Sequence, residues 1–321
     1  MQSLPSIEFI AMPPNPALNR TGRYATRFSR ARRGPPVSLN VGRQLSTERG
    51  DKMATESSYT FGHKEGALAW MRFRTAERCC GFLRQHVRPD SRILDCGCGP
   101  GSVTVGLAQW APDGQTVGID LGAEQLDGAR ALARDLGVEN VTFRQGDIFD
   151  LPFDDDSFDV VFSQAVLFHI PNHEKALAEI KRVLRPGGLV ALRDGINASI
   201  IIWPEEPLVR EIAGMIRRGA QRSGGNPDVG RELGTLLHAA GFEDVFFTLS
   251  FLQPERPEER TEYFSLYAGA VEGDLTALAV SEGWSTAERL TQAAARCRDL
   301  ASKPGSIWAL PFGQAIGRKP T

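Results

Sequence analysis

Three acidic residues stand at the ends of three successive apolar runs: Asp95 in ILDCGCGPG, Asp120 in VGIDL and Asp147 in VTFRQGD. The first opens the stretch Asp95-Cys96-Gly97-Cys98-Gly99-Pro100-Gly101, which lies between a strand-like run and a helix-like run over Ser102–Trp110. Glycines there let the backbone approach a ligand closely, and the carboxylate can accept hydrogen bonds from an amino group. A dinucleotide-binding GxGxxG counted from Gly97 and Gly99 would place its third glycine at Ser102, whereas here it arrives one residue early, as GxGxG. In the dinucleotide form the third glycine allows close helix packing and the helix N-terminus faces a pyrophosphate. The shorter form, led by an acid, suits a nucleoside ligand that carries an ammonium and no phosphate. Asp120 is placed to accept from ribose hydroxyls, or alternatively to cap the helix that begins at Ala123. Asp147 can accept from an exocyclic adenine amine while Ile148 packs on the ring. An acid at three consecutive strand ends, together with GxGxG, is a specific combination.

These residues need strands to place them. From Ser91 the chain alternates SRILDCG, a helix over Ser102–Trp110, TVGIDL, a helix over Ala123–Leu136, VTFRQGD, FDVVFSQA, a helix over His173–Leu184 halted by Arg185-Pro186-Gly187-Gly188, and LVALRDG. Apolar strands alternating with helices imply a doubly wound α/β fold, a mostly parallel sheet covered on both faces. Ligands then bind beyond the carboxyl ends of the strands, where the acids lie.

Composition bounds the partners. The net charge of −2 divides into +6 over residues 1–52 and −8 over the remaining 269. A net acidic body repels phosphate backbones, which argues against nucleic acid as a partner. The five cysteines, at 79, 80, 96, 98 and 297, form neither an even framework nor paired knuckles, which fits a reducing compartment. No apolar run approaches the roughly 18 residues of a membrane span, and no secretory signal is visible. The leader, residues 1–52, holds six prolines and many arginines with little apolar periodicity, so a disordered basic segment is expected. Arg20, Arg23, Arg27 and Arg30 fall at helical spacing, as an organelle transit peptide would show. Three readings stand: a start site upstream of a functional start at Met53, a transit peptide leading to the mitochondrial matrix, and a plain tail. Without a transit peptide the expected location is cytoplasmic.

The phrases ILDCGCGPG, VGIDL, GDIFDLPFDDDSFDVVFSQAVLFHI and EIKRVLRPGG resemble the successive motifs of class I S-adenosylmethionine-dependent methyltransferases. LPFDDDSFDVV and RVLRPGG are most similar to the ubiquinone/menaquinone-biosynthesis C-methyltransferase type. The strong resemblance covers about Ser91–Asp194. It implies a seven-stranded, Rossmann-like sheet whose last strand is antiparallel, with strand six over Asp244–Leu252, strand seven over Ile307–Gly317 and helical cap insertions. It further implies S-adenosyl-L-methionine as cofactor, with Asp95, Gly97, Cys98, Gly99 and Gly101 at its methionine end. Asp120 would lie at the ribose, Asp147 and Ile148 at the adenine and Gln164 at the methionyl group, with Leu121 and Gln125 also among the cofactor-binding residues. Arg74 would pair with the cofactor carboxylate and Tyr59 would cover it. The expected domain layout is a leader over 1–52 and a methyltransferase domain over 53–321. The domain divides into an N-terminal helical cap (53–90), a cofactor-binding core (91–195), substrate-side insertions with strand six (196–305) and the last strand (306–321).

Residues after the fourth strand, where an acceptor atom would sit, read Ser163-Gln164-Ala165-Val166. No [ND]PP[YFW] or Pro-Cys stands there, which disfavours nucleic-acid base methylation. Ser163 is no carboxylate ligand for metal-dependent catechol-type transfer, and Pro171 between His169 and His173 breaks their helical pairing, so no metal is expected. His169 is the candidate general base, a histidine near neutral pKa, with loop packing as its alternative. His63 is a second candidate on the substrate side, with Phe168 and Trp203. Two insertions, Glu205–Ala240 and Glu255–Ala301, would supply an acceptor pocket, the longer one as a lid rich in aromatics. The expected partner is a small, fairly hydrophobic acceptor methylated on oxygen or carbon, and a homodimer is compatible with the chain. A nicotinamide-dependent oxidoreductase and a non-catalytic cofactor-binding protein stand as alternatives.

Overall fold

The structure is a computed structural model that describes residues 73–321 apart from 255, 257, 272 and 273. The leader, Tyr59 and His63 lie outside the described residues. A short helix, α1 (Ala76–Cys79), and a 3-10 turn (Arg84–His86) lead into the alternating core. The core runs β1 (Arg92–Cys96), α2 (Ser102–Trp110), β2 (Gln115–Asp120), α3 (Ala123–Asp135), β3 (Val141–Gln145), β4 (Phe158–Gln164), α4 (His173–Val183) and β5 (Leu184–Gly195). After it come β6 (Ile201–Trp203), α5 (Pro207–Arg222), α6 (Leu233–Ala239), β7 (Glu243–Leu252), then α7 (Glu259–Ala270), α8 (Asp274–Ser281), α9 (Ala287–Ser302) and β8 (Ile307–Arg318).

The sheet order is β3-β2-β1-β4-β5-β8-β6, with β7 also paired to β8. Strands β1 to β5 pair in parallel, and β8 is antiparallel to β5, β6 and β7. The sheet therefore has eight strands where seven were expected. The extra one is β6. Strand β5 pairs with Phe312–Arg318 and β6 with Ile307–Ala309, so β6 lengthens the pairing along β8 instead of widening the sheet. Strand β5 also begins earlier than the LVALRDG run, since Leu184 already pairs with Phe158 before a register shift.

Local chemistry explains the boundaries. Helix α4 starts where the Asn172 side chain accepts from the Lys175 N–H at 3.0 Å. It buries Ala176, Leu177, Ile180 and Val183, one stripe at helical spacing, and ends on Lys181 and Arg182, which suit the negative end of its dipole. Helix α5 has proline in its first turn and Glu206 as its cap. Strand β4 is buried on both faces, as a central parallel strand must be. One face of the sheet packs against α1 and α2 through Cys79, Leu83, Phe162, Ala191 and Ile316. The other carries Leu94, Val161 and Leu192 of the larger core, a cluster that also takes in the aromatic residues of α7. Those aromatics, expected to line a lid, are core: Tyr263 and Phe264 are fully buried, and Tyr267 stacks on Trp308 with ring centroids 3.8 Å apart.

Candidate active site

The glycine loop follows β1 and is wired to β2. Gly97 N–H and Cys98 N–H both donate to the Ile119 carbonyl, at 2.8 and 2.9 Å. Gly97 has φ +77°, and a Cβ there would meet Val166 Cγ2 at 2.2 Å, so the loop and the segment after β4 touch backbone to side chain. Gly101 has φ +79°, and a Cβ would meet Ala129 at 2.7 Å and Phe143 at 3.0 Å. Close packing on α3 and β3, the part a third glycine plays in dinucleotide loops, is thus filled here one residue early.

The acids that follow the strands do different work. Asp95 is buried, and its Oδ2 accepts from Thr104 Oγ1 on α2 at 2.7 Å. Burial pushes its carboxyl up to about 7; the Thr104 bond opposes this and the nearby Asp120 charge adds to it. Asp120 is half-buried and ties two loops, accepting from Gly99 N–H through Oδ2 and from Gly122 N–H through Oδ1, each at 2.9 Å. It caps no N–H of α3 beyond Gly122. Each carboxylate oxygen has lone-pair capacity left for a hydroxyl. Leu121, next to it, is exposed, and its carbonyl accepts from Gln145 Nε2 at 2.9 Å. Gln125 is buried in the first turn of α3. Asp147 holds the turn after β3 by accepting from Phe149 N–H at 2.9 Å, and Ile148 is buried beside it.

At the end of β4, Gln164 is buried and donates through Nε2 to Cys79 Sγ at 3.5 Å. Ala165 takes a left-handed φ of +54°, held by its N–H on the Arg193 carbonyl at 2.9 Å. For a residue with a Cβ this conformation is uncommon and costs roughly 1 kcal/mol or more. It turns the chain so that Val166 reaches Gly97 and Leu167 N–H reaches Asp194 Oδ2 at 3.1 Å. Asp194 is buried, and burial pushes its carboxyl up to about 7.

His169 is partly buried in this segment, its ring edge-on to Phe168 at 4.6 Å. Its expected near-neutral pKa is corrected: burial, then the neighbouring Arg74 charge, pushes it down to about 4. Arg74 thus comes close enough to be felt at both His169 and Asp194. His173 shares its Nε2 with the Leu167 carbonyl at 2.9 Å, and no group of three or more metal-ligating side chains occurs among the described residues. Phe168 is packed in the larger core. Trp203 stands 61% exposed on β6, at the surface rather than in a pocket, because β6 is a short strand at the end of the sheet path. A cleft of about 550 Å³ lined by Arg92, Gln115 and Phe158 opens at the amino ends of β1, β2 and β4, the end of an open α/β sheet away from the acids.

The sequence reading missed Thr104, Arg193, Asp194 and Gln314. Arg193 and Gln314 were visible as polar residues that interrupt an apolar alternation near strand ends, but their alignment needed the register of β8.

The family described as "Methyltransferase domain" matches residues 88–215. An uncharacterized methyltransferase of Schizosaccharomyces pombe is 36% identical over 171 residues, 51% of this chain and 60% of that protein. The probable methyltransferase ltbC of Aspergillus luteorubrus is 36% identical over 150 residues, 44% of this chain and 53% of that protein. The chain therefore spans little more than half the length of these curated relatives. The described chain shares its fold with the YcgJ protein of Bacillus subtilis: the TM-score is 0.50 at 24% identity, over 75% of this chain and 97% of that one. No helix among the described residues is long and apolar enough to cross a membrane.

Proposed function

We propose that the chain is an S-adenosylmethionine-dependent methyltransferase that moves a methyl group to oxygen or carbon of a small, largely apolar acceptor. The observation that carries this reading is the loop of Gly97 and Gly99, fixed by Asp120 and by Ile119 so that its backbone, stripped of Cβ atoms, faces the carboxyl ends of β1 and β4. The residues fit the cofactor by their chemistry. Asp95 is a buried acid suited to an ammonium, Asp120 has acceptor capacity for ribose hydroxyls, exposed Leu121 offers an apolar surface, and Asp147 and Ile148 stand where an adenine would lie. Gln164 and Arg74 would meet the methionyl end.

The bound cofactor supplies an electrophilic sulfonium methyl. The chain's part is to hold the acceptor in line and to exclude water, which can account for much of the acceleration. His169, with its pKa down at about 4, is unprotonated at neutral pH and would accept a proton from a hydroxyl or carbon acid only as a weak base. The segment fixed by Ala165 and Asp194 holds it in place.

Calorimetry with S-adenosylmethionine, S-adenosylhomocysteine and NAD tests the class; binding of NAD alone would overturn it. A labelled-methyl screen against quinols, phenols and polyketide-like acids tests the acceptor, and label appearing in none of them would remove this acceptor class.

A further inference from the structure

On the face of the sheet beneath α1, three strands change character at one level. Val160 and Phe162 precede Gln164 on β4, Leu189 and Ala191 precede Arg193 on β5, and Ile316 lies two residues from Gln314 on β8. Spacing by two keeps each set on one face. The pairing register sets Gln164 opposite Arg193 and Arg193 opposite Gln314. An apolar face thus ends in a polar rung at the carboxyl end of β4 and β5, the end where the glycine loop lies.

The rung is built but unfinished. Arg193 is fully buried, yet its Nε and Nη1 have no hydrogen-bond partner, and neither does Gln164 Oε1. Arg193 Nη2 reaches Ser250 Oγ at 3.4 Å, and the guanidinium lies 3.7 Å from the Phe312 ring centre. Gln314 Nε2 reaches the Cys79 carbonyl at 3.5 Å. These contacts sit at the outer limit of hydrogen-bond length. A guanidinium out of water with unmet N–H groups is costly, and burial accordingly pushes Arg193 below its usual range. Asp194, next in sequence, points to the opposite face and is engaged with Leu167 N–H, so it does not complete the rung. What the rung lacks is a planar anion for the guanidinium fork, flanked by an amide oxygen that can accept from a hydroxyl and by an aromatic wall.

We propose that Arg193 recognises the methyl acceptor by its carboxylate, with Gln164 and Gln314 flanking it and Phe312 as its wall. The proposal rests on the methyltransferase reading above and narrows the acceptor to apolar carboxylic acids. Arg74 and Arg193 then divide two carboxylates between them, the cofactor's and the acceptor's.

The test uses the full chain saturated with S-adenosylhomocysteine, titrated by calorimetry with two matched pairs: 4-hydroxybenzoate against 4-hydroxybenzamide, and phenylacetate against phenylacetamide. Each acid is expected to bind at least about tenfold tighter than its amide, the scale of a charge-assisted bond. Arg193→Gln levels each pair, Arg193→Lys keeps part of the preference, and S-adenosylhomocysteine affinity stays within about twofold in both. Arg193→Met, which removes the unmet charge at similar volume, melts at the same or a higher temperature than the parent; a purely structural arginine would make it melt lower, and that result overturns the proposal. Equal affinity within the pairs, including no binding of either acid, also overturns it, as does a preference that survives in Arg193→Gln. A loss of S-adenosylhomocysteine affinity in the Arg193 variants would instead assign the residue to the cofactor. Failure of the parent protein to bind S-adenosylhomocysteine would sink the methyltransferase reading itself, a result distinct from all of these.

Discussion

The loop after β1 and the rung across β4, β5 and β8 sit at the same end of one sheet and are built on opposite plans. Around the loop, polar groups are met internally: Asp120 takes two backbone N–H groups, Asp95 takes the Thr104 hydroxyl, and Ile119 takes the N–H groups of Gly97 and Cys98. Across the rung, Gln164 and Arg193 each keep buried polar atoms without a partner. A region finished before its ligand arrives gains affinity by avoiding reorganisation, whereas a region left unfinished lowers stability and gains selectivity for whatever completes it. Under the proposed function, the difference would make the cofactor side rigid by construction and leave the acceptor side to store its specificity as unmet hydrogen bonds.

The strongest way to break this contrast is on the rigid side. Gly97→Ala places a Cβ against Val166 in a left-handed conformation, and we expect S-adenosylhomocysteine affinity to fall by about 100-fold or more, with a lower melting temperature. Asp120→Ala unties Gly99 and Gly122, and at about 1.5 kcal/mol or more for each charge-assisted bond the expected loss is on the order of 100-fold in calorimetry. If the loop tolerated either change, it would not be preorganised.

Proton linkage sharpens the contrast next. Asp95 and Asp194 are both pushed up to about 7 by burial, above the roughly 3.9 of an unfolded aspartate. The folded chain therefore keeps protons that the unfolded chain gives up, so their contribution to stability is full below about pH 4 and is lost as pH rises through 7. A cationic ligand at Asp95 favours the charged form, so cofactor binding should release a proton and weaken below pH 7, by up to about tenfold per unit. Calorimetry near pH 6.5 in buffers of different ionisation heat reads that release directly; a heat independent of buffer would remove Asp95 as the ammonium partner.

On the acceptor side, His169→Ala should lower turnover by about tenfold or more while cofactor affinity stays unchanged. With its pKa down at about 4, His169 should add no fall in rate between pH 5 and 7, which a pH–rate profile of parent against variant checks. Trp203→Ala, at an exposed ring, should change cofactor affinity and stability least, within about 0.5 kcal/mol.

The strand, glycine turn and helix were legible because their determinants are local, all within twenty residues, so spacing alone put Asp95 on β1 and Gly97 and Gly101 in the turn before α2. The same locality gave α2 its bounds, while the family resemblance put β8 within a residue of its expected end. The acceptor side was not legible for the opposite reason. Gln314 meets Arg193 only through antiparallel pairing across an intervening stretch of five helices, and no periodicity reports that register. Aromatic content misled as well, since Tyr263, Phe264 and Trp308 turned out to be core while Trp203 stayed at the surface. The pKa of His169 depends on burial and on Arg74, which sit far from it in sequence.

Strand β7 carries Phe246, Phe247, Leu249 and Phe251 exposed, and its one partner in the sheet is β8. During synthesis that partner does not yet exist when β7 leaves the ribosome: α7, α8 and α9 are made first. At roughly 5–20 residues per second the strand waits several seconds with an apolar, unpaired edge. The sheet can close only once β8 has been made, and the interval before it is when the nascent protein most depends on not meeting another copy of itself.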